Sequence, residues 1–586
     1  MRTNYSRVKL LFICILTAVV IPAMGQVQWS IETPEAVYDW DSRMLSDGSF
    51  VVYYNSPSQL IIYEDTVSAQ EHILMRYNAD GTSAWSEPLI VANAPNKSYT
   101  MYNKYLFVDD EDNIFLNIPD CRYDTFESLW PAGYYKWEKM TLNVHKISKD
   151  GEHLWGGNGI PIDRDGHVLI ALCNAIMLED SGLILSWLQE DLFGSSTVTT
   201  TKIARISSSG DVLWVNDLSP SGHSATLVNG GSNQFIIVYM QGTSLSAVTP
   251  IYAQKLNSKG DLIWGPIMIY DKGGTPPRAA HLNIKVLPVK RGVFVSWYAD
   301  PDGDNFEDVY CSYVNRSGDL AFAGGTSGTK LGYAPNIRQF SPVGIYDEEN
   351  EYVYYTWSEQ SNGQTWSGIV GQKINLDGEL MWDANGVTVG PMLERRVEYQ
   401  SVQLDSAGNP CFFYLQYTGG NMGYVQKLST DGNMLWNTTF NETGADLITL
   451  PYANGQWIAL WIMSSGTTVA RVRAQNILDG SSGISVSEEL TSSAKSQSNI
   501  SFNVTRNPVF GGTSFIVKGL QGKRADISVY GATGKKVAAV FNGETVSDEQ
   551  EFVWDIPALL PEGIYFATLR SGSDIKTLKI VVSNSR

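Results

Sequence analysis

The chain has 586 residues, 43% hydrophobic and 18% charged, with 61 acidic residues against 42 basic ones and a net charge of −19. That length exceeds one ordinary core, so at least two domains are expected, and the composition argues against a disordered chain. The negative charge repels phosphate, which disfavours nucleic acid and anionic lipid as partners.

Arg2, Arg7 and Lys9 precede a thirteen-residue apolar run, residues 10–22, and Ala23-Met24-Gly25 then supplies small residues before a cut. This tripartite pattern is that of a secretory signal over residues 1–25, and it is too short for an ordinary membrane span. Cleavage leaves 39 basic against 61 acidic residues, a net charge of −22. Cys14 lies inside the apolar run and no cysteine directly follows the cut, which argues against a lipid anchor. No later run reaches about 18 apolar residues, so no membrane span is expected.

From residue 26 to about 490 one pattern recurs: a short apolar strand, a Gly turn and a second strand. It reads LMRYNADGTSAW (74–85), VHKISKDGEHLW (144–155), IARISSSGDVLW (203–214) and AQKLNSKGDLIW (253–264). CSYVNRSGDLAF (311–322), GQKINLDGELMW (371–382) and VQKLSTDGNMLW (425–436) continue it, and RAQNILDG (473–480) keeps the turn without the Trp. The glycines are 81, 151, 210, 260, 318, 378, 432 and 480, spaced 48 to 70 residues apart. Four places after the first seven stand Trp85, Trp155, Trp214, Trp264, Phe322, Trp382 and Trp436. Gly between alternating strands makes a hairpin because it takes positive φ without steric cost. Each Trp then falls on one fixed face of the outgoing strand and is expected in the core. Further apolar strands lie upstream, as in GLILSW (182–187), GVFVSW (292–297) and QWIALW (456–461). Each unit therefore has about four antiparallel strands, and such units in series indicate a β-propeller.

Eight hairpins predict an all-β, eight-bladed β-propeller over residues 26–490, with seven blades as the alternative. Trp29, just after the cut, is placed to replace the Trp missing from the eighth unit, so the N-terminal strand closes the last blade. Otherwise residues 481–490 supply that strand. The Gly-then-Trp spacing resembles the tryptophan-docking repeat of quinoprotein-like propellers. The resemblance implies that each Trp packs against the neighbouring blade. The quinone-cofactor enzymes also carry an adjacent Cys pair, which this chain lacks. No cofactor is expected.

Two segments inside the repeats are candidate sites. Residues 121–141 form a long insertion with Tyr123, Phe126, Trp130, Tyr134, Tyr135 and Trp137. Exposed aromatics stack on sugars or anchor protein partners, or they pack such a loop onto its own blade. Residues 300–308 carry Asp300, Asp302, Asp304 and Asp308, whose alternate carboxylates can converge on calcium. The Gly there is at position 4, not at the EF-hand position 6, so a solvated acidic loop is the plainer reading. Cys121, Cys173, Cys311 and Cys411 form no CxxC pair, and the last three sit in apolar runs that predict buried free thiols.

Residues 491–500 read as a Ser-rich linker, and residues 501–586 as a small Ig-like β-sandwich of short strands. This ending resembles the type A C-terminal sorting domain of type IX secretion in Bacteroidetes. The resemblance is carried by Asn507 and Pro508, by Gly534 and Lys535 in a turn, by Gly563, Ile564 and Tyr565, and by the terminal strand KTLKIV (576–581). Arg506 stands where Pro is commoner in that family. The resemblance implies the type IX machinery as a partner, outer-membrane translocation, and a secreted or cell-surface protein.

The chain has six histidines and no HExxH, GxSxG or GxxxxGK[ST] motif. The first functional reading is a non-enzymatic platform that binds a glycan or protein. The alternative is an extracellular hydrolase of polysaccharide or peptide using acidic residues at the propeller funnel, and a structural envelope role is a third.

Overall fold

The computed structural model describes residues 29–480 and 501–582, apart from short stretches at 35–36, 38, 63–64, 93–104, 121–139, 163–168, 194–195, 221, 242–249, 272–283, 394–395, 418–421, 441–444, 466–467, 506–508, 510–511, 532–535, 558–559, 562 and 572–573. The signal segment 1–25, the linker 491–500, and Tyr123, Trp130, Tyr134, Tyr135 and Trp137 lie outside the described residues. So do Asn507, Pro508, Gly534 and Lys535. The chain divides into two units, Met1–Val486 and Ser487–Arg586.

The described residues of the first unit form eight four-stranded antiparallel sheets. The third is typical, with Leu169–Met177, Leu183–Phe193, Ser196–Ile206 and Val212–Asp217 paired in chain order. Its second strand buries Leu183, Ile184, Leu185, Trp187 and Leu188 in succession. A continuous apolar strand of this kind is expected where both faces of a sheet are covered. Covering comes from the neighbouring sheets. The innermost strands Asp39–Met44, Tyr105–Val108, Leu169–Met177, Gly222–Gly231, Lys285–Val289, Ile337–Asp347, Arg396–Leu404 and Ala445–Ala453 each pack on the next. The last packs back on the first. A ring of packed antiparallel sheets of this kind is a β-propeller.

The fourth strand of the eighth sheet comes from the other end of the chain. Ser30–Glu32 pairs antiparallel with Thr468–Leu478, with Ser30 opposite Gln475 and Glu32 opposite Arg473. Glu32 bridges Arg473 at 2.8 Å and Arg471 at 3.2 Å. The Trp29 N–H donates to Asn476 Oδ1 at 2.7 Å.

The repeated Gly and Trp meet across the seams between sheets. The seven glycines from Gly81 to Gly432 hold φ between 83° and 96°, and Gly480 has 71°. Each of these seven leaves room for the ring of the preceding unit: Trp29 covers Gly81, Trp264 covers Gly318 and Phe322 covers Gly378. Indole N–H groups fix the seam by donating to turn carbonyls: Trp29 to Ala79 at 3.2 Å, Trp85 to Lys149 at 3.0 Å, Trp214 to Ser258 at 3.1 Å, Trp264 to Arg316 at 3.0 Å and Trp382 to Thr430 at 3.1 Å. Trp436 donates instead to the Asp479 carboxylate at 3.2 Å. These indoles, Trp155 included, are half-buried, and only Phe322 of the series is fully buried. The core position expected for them belongs to Trp187, Trp297, Trp357 and Trp461 on the second strands. Indole N–H groups favour a seam, where a partner carbonyl is within reach. Cys173, Cys311 and Cys411 are buried and free.

In the second unit a three-stranded sheet, Ser501–Val504, Gly512–Lys518 and Glu549–Asp555, and a four-stranded sheet share one core. The four strands are Arg524–Gly531, Lys536–Glu544, Gly563–Ser571 and Asp574–Val582. Phe515, Phe552 and Trp554 from the first sheet join Ile527, Val529, Ala567 and Ile580 from the second. Gly563 and Ile564 open an inner strand beside Gly531, and the buried Tyr565 donates its hydroxyl to the Pro561 carbonyl at 2.8 Å.

Candidate functional site

Successive strands alternate in direction, so the two ends of each sheet in the ring differ. First-to-second and third-to-fourth turns open at one end, and these include the docking glycines. Second-to-third connections and the links between sheets open at the other. Residues 300–307, Tyr333 and Trp366 belong to that second end, and the strands flanking residues 121–139 also turn there. Tyr333 and Trp366 are exposed.

The innermost strands carry an irregularity near this end. In the third, fourth, sixth, seventh and eighth sheets the ladder shifts register, at Ala171/Asn174, His223/Thr226, Phe340/Val343, Glu398/Ser401 and Ala445/Leu447. One residue in each shift has positive φ: Leu172 at 52°, Ser224 at 53°, Ser341 at 57°, Tyr399 at 54° and Asp446 at 56°. In four of these sheets the extra residue sits opposite a large buried aromatic on the second strand, namely Trp187, Tyr239, Trp357 and Tyr414. A β-bulge bends its strand and re-aims a side chain. Here the bulges recur at equivalent positions in five of the eight sheets.

Side chains from adjacent sheets lock the bulges. Asn174 Oδ1 accepts the Leu227 N–H at 2.9 Å. Gln400, buried beside Tyr399, donates to the Ser341 carbonyl and accepts from the Ser358 hydroxyl at 2.9 Å. Ser401 and Thr449 share a hydroxyl hydrogen bond of 2.6 Å. Lys285 of the fifth sheet is solvent-accessible, yet desolvation by the surrounding protein lowers its ammonium below the usual lysine range.

The acidic loop divides. Carboxylate oxygens of Asp300, Asp302 and Asp304 all lie within 4.8 Å of one another. Asp300 is buried and accepts N–H groups from Gly303 at 2.8 Å, Asp304 at 3.1 Å and Asn305 at 3.0 Å. Burial, with the Asp302 and Asp304 carboxyls, raises Asp300 above the usual carboxylate range against the pull of the Asn305 and Gly303 N–H groups. Asp308 stands apart, bridged to Lys330 at 2.6 Å, with burial raising its carboxyl. Beside it, Arg338 holds Glu307 through two bonds of 2.6 and 2.7 Å.

No protein-family model and no curated protein matches this chain. Solved structures similar to it include the Dos1 propeller, at 10% identity and a TM-score of 0.40, covering 76% of this chain and 94% of that one. A protein of unknown function from Dyadobacter fermentans has 8% identity and a TM-score of 0.33, covering 64% and 93%. An α-L-arabinofuranosidase from Fusarium graminearum has 12% identity and a TM-score of 0.30, covering 52% and 92%. Likenesses at these scores carry no argument about function, and the propeller rests on the strand pairing above.

The bulges were not readable in the sequence, because Leu172, Ser224, Ser341, Tyr399 and Asp446 span four residue types. The only signal was the aromatic near the end of each apolar second strand, as in Trp187 and Trp357.

Proposed function

We propose that the protein is an exported, eight-bladed β-propeller of a Bacteroidetes-type bacterium, and that it binds a glycan or protein through the end of the ring that carries the bulges. One observation carries the reading: the two ends are built differently. One end closes in tight docking turns, while the other combines long connections, exposed aromatics and left-handed bulge residues in five of the eight sheets. Binding residues concentrate on loops held by a rigid scaffold. On this reading the Ig-like sandwich after residue 500 is the type IX sorting signal, and the segment 1–25 directs passage through the inner membrane.

The three converging carboxylates of Asp300, Asp302 and Asp304 suit a calcium ion, which takes six to eight oxygens from a flexible set of ligands. Asp308 belongs to the Lys330 pair and not to that set. Calcium bound there raises the melting temperature of wild type but not of Asp302→Asn/Asp304→Asn, whereas equal curves with and without calcium remove the ion from the account.

The binding reading is tested with the mature chain on glycan and cell-surface protein arrays. Saturable binding without turnover supports it. Release of reducing ends or peptides would favour the hydrolase instead, provided substitution of paired acids at that end of the ring abolishes it. Secretion is tested separately: a chain ending at residue 500 should stay in the periplasm, and its arrival at the surface would sink the sorting role.

A further inference from the structure

We infer that the turn of the fourth sheet at Gly230 and Gly231, with Lys255 and Arg316 beside it, is a binding site for a small carboxylate ligand. The site lies at the docking-turn end of the ring, opposite the end proposed above for glycan or protein, and it does not rest on that reading.

Five places before the docking glycine, the third strands of six sheets carry a cation: Arg76, Lys146, Arg205, Lys255, Lys373 and Lys427. A buried charge is costly unless a partner compensates it. Arg76 bridges Asp47 at 2.7 Å and Arg205 bridges Asp180 at 2.5 Å, both acids standing in the turn between first and second strands. Lys427 has Asp405 beside the same kind of turn and Asp479 from the next docking turn. Lys373 donates to the Thr430 carbonyl at 3.2 Å, in the field of Asp431 and Asp347. Lys146 lies over the rings of Phe115 and Trp155, at 5.3 and 5.9 Å.

Lys255, on Ile251–Asn257, departs from this pattern. It is 7% exposed, and its ammonium makes no hydrogen bond or ion pair among the described residues. The turn of its own sheet, Asn229-Gly230-Gly231-Ser232-Asn233, has no acid, and by strand register Ser232 stands where Asp180 stands in the third sheet. The next docking turn has Ser317 where the eighth sheet has Asp479, and the exposed Arg316 precedes it. An added Cβ at Gly230 would lie 3.0 Å from Lys255 Cε, and one at Gly231 would lie 3.7 Å from an Arg316 guanidinium nitrogen. One turn without side chains therefore touches both cations. Burial, and then Arg316, lower the Lys255 ammonium below the usual lysine range. Glu179 of the third sheet reaches this turn, where its carboxylate accepts the Ser232 N–H at 2.7 Å. A carboxylate arriving from outside would do for Lys255 what Asp180 does for Arg205. The Arg316 fork suits its two oxygens and Lys255 supplies a second positive charge. A lysine more than nine-tenths buried is within reach of a small acid.

The experiment uses the full mature chain and two probes at constant ionic strength, malonate and inorganic phosphate, with binding measured by calorimetry and folding by melting temperature. Wild type should bind malonate saturably and more tightly than phosphate, and malonate should raise its melting temperature. Lys255→Met and Arg316→Gln should each weaken malonate binding by about tenfold or more. Lys259→Gln, at an exposed cation of the fourth sheet's own docking turn, should leave binding within about twofold, because a solvated charge is screened. Lys255→Met should melt no lower than wild type, because an apolar side chain of similar length replaces an unmatched buried charge. The site is overturned if wild type does not bind malonate, if Lys255→Met and Arg316→Gln bind it like wild type, or if Lys259→Gln loses as much as they do. Tighter binding of phosphate than of malonate overturns the carboxylate assignment. A clearly lower melting temperature for Lys255→Met would show that the fold itself matches this charge, and that too overturns the inference.

Discussion

Gly318 concentrates the chemistry of the repeat in one atom that is absent. Its φ is 93°, and an added Cβ would lie 2.9 Å from the Trp264 ring and 2.7 Å from Ile267. Gly156 has φ of 78° with nothing within 4 Å of an added Cβ. Alanine at both sites meets the same backbone penalty, so the difference isolates the docking contact. Gly318→Ala should cost about 2 kcal/mol more than Gly156→Ala in urea unfolding, and equal costs would mean that the indole yields freely. Lys427 is a second instructive residue. It bridges Asp405 at 2.6 Å and Asp479 at 2.8 Å, with the Lys427 and Asp405 side chains 9% and 4% exposed. Burial alone would raise Asp405, but hydrogen bonds from Lys427, Asn409 and the Asn409 and Ala407 N–H groups hold it below the usual range. Burial opposes the charge on Lys427 too, yet the two carboxylates raise it above the usual lysine range. The lowered Asp405 contributes stability above its unfolded value of about 4 and loses it as pH falls through the folded value. The raised Lys427 contributes below about pH 10.4 and loses it as pH rises through its folded value. Both contributions are therefore present at neutral pH. Lys427→Met should cost about 3 kcal/mol at pH 7, because it strands a buried carboxylate, and less at pH 4, where Asp405 can take up a proton. A gap independent of pH would contradict the pairing.

At the level of strands, the turn glycines and their aromatic partners were legible because hairpin chemistry leaves a fixed offset in the sequence. The pairing of Ser30–Glu32 with Thr468–Leu478 could be anticipated from one missing Trp. The degree of burial was not legible: the indoles at 85, 214, 264 and 382 lie in seams where one face meets solvent, and periodicity does not separate a seam from a core. The acidic loop was read as four carboxylates, but Lys330, supplied by a later strand, draws Asp308 out of the group. The bulges left little trace, because four of the five sit opposite Trp187, Tyr239, Trp357 and Tyr414, and several residue types occupy that place. The closing strand carries its own prediction. Removing residues 26–33 takes away the Trp29 plug over Gly81 and the two arginine bridges of Glu32. The loss should be about 3–5 kcal/mol, the range of a large aromatic deletion, and an unchanged unfolding midpoint would show that closure does not depend on this strand.

Over the whole molecule, the two units have separate cores, and Ser487–Arg586 holds its own from Phe502 to Val582. A chain ending at Val486 should therefore keep the melting temperature of the propeller, and a clear drop would reveal dependence between the units. Within the second unit, Tyr565→Phe removes the bond to the Pro561 carbonyl and should cost about 1 kcal/mol there, leaving the propeller transition in place. The closing strand also has a mechanical side. Tension applied at residue 480 enters Thr468–Leu478, an interior strand with a hydrogen-bonded ladder on each side, in Gln456–Ser465 and in Ser30–Glu32. Tension applied at residue 29 enters a three-residue edge strand with a single ladder. A tether attached through the C-terminal side thus pulls on the stronger half of the joint.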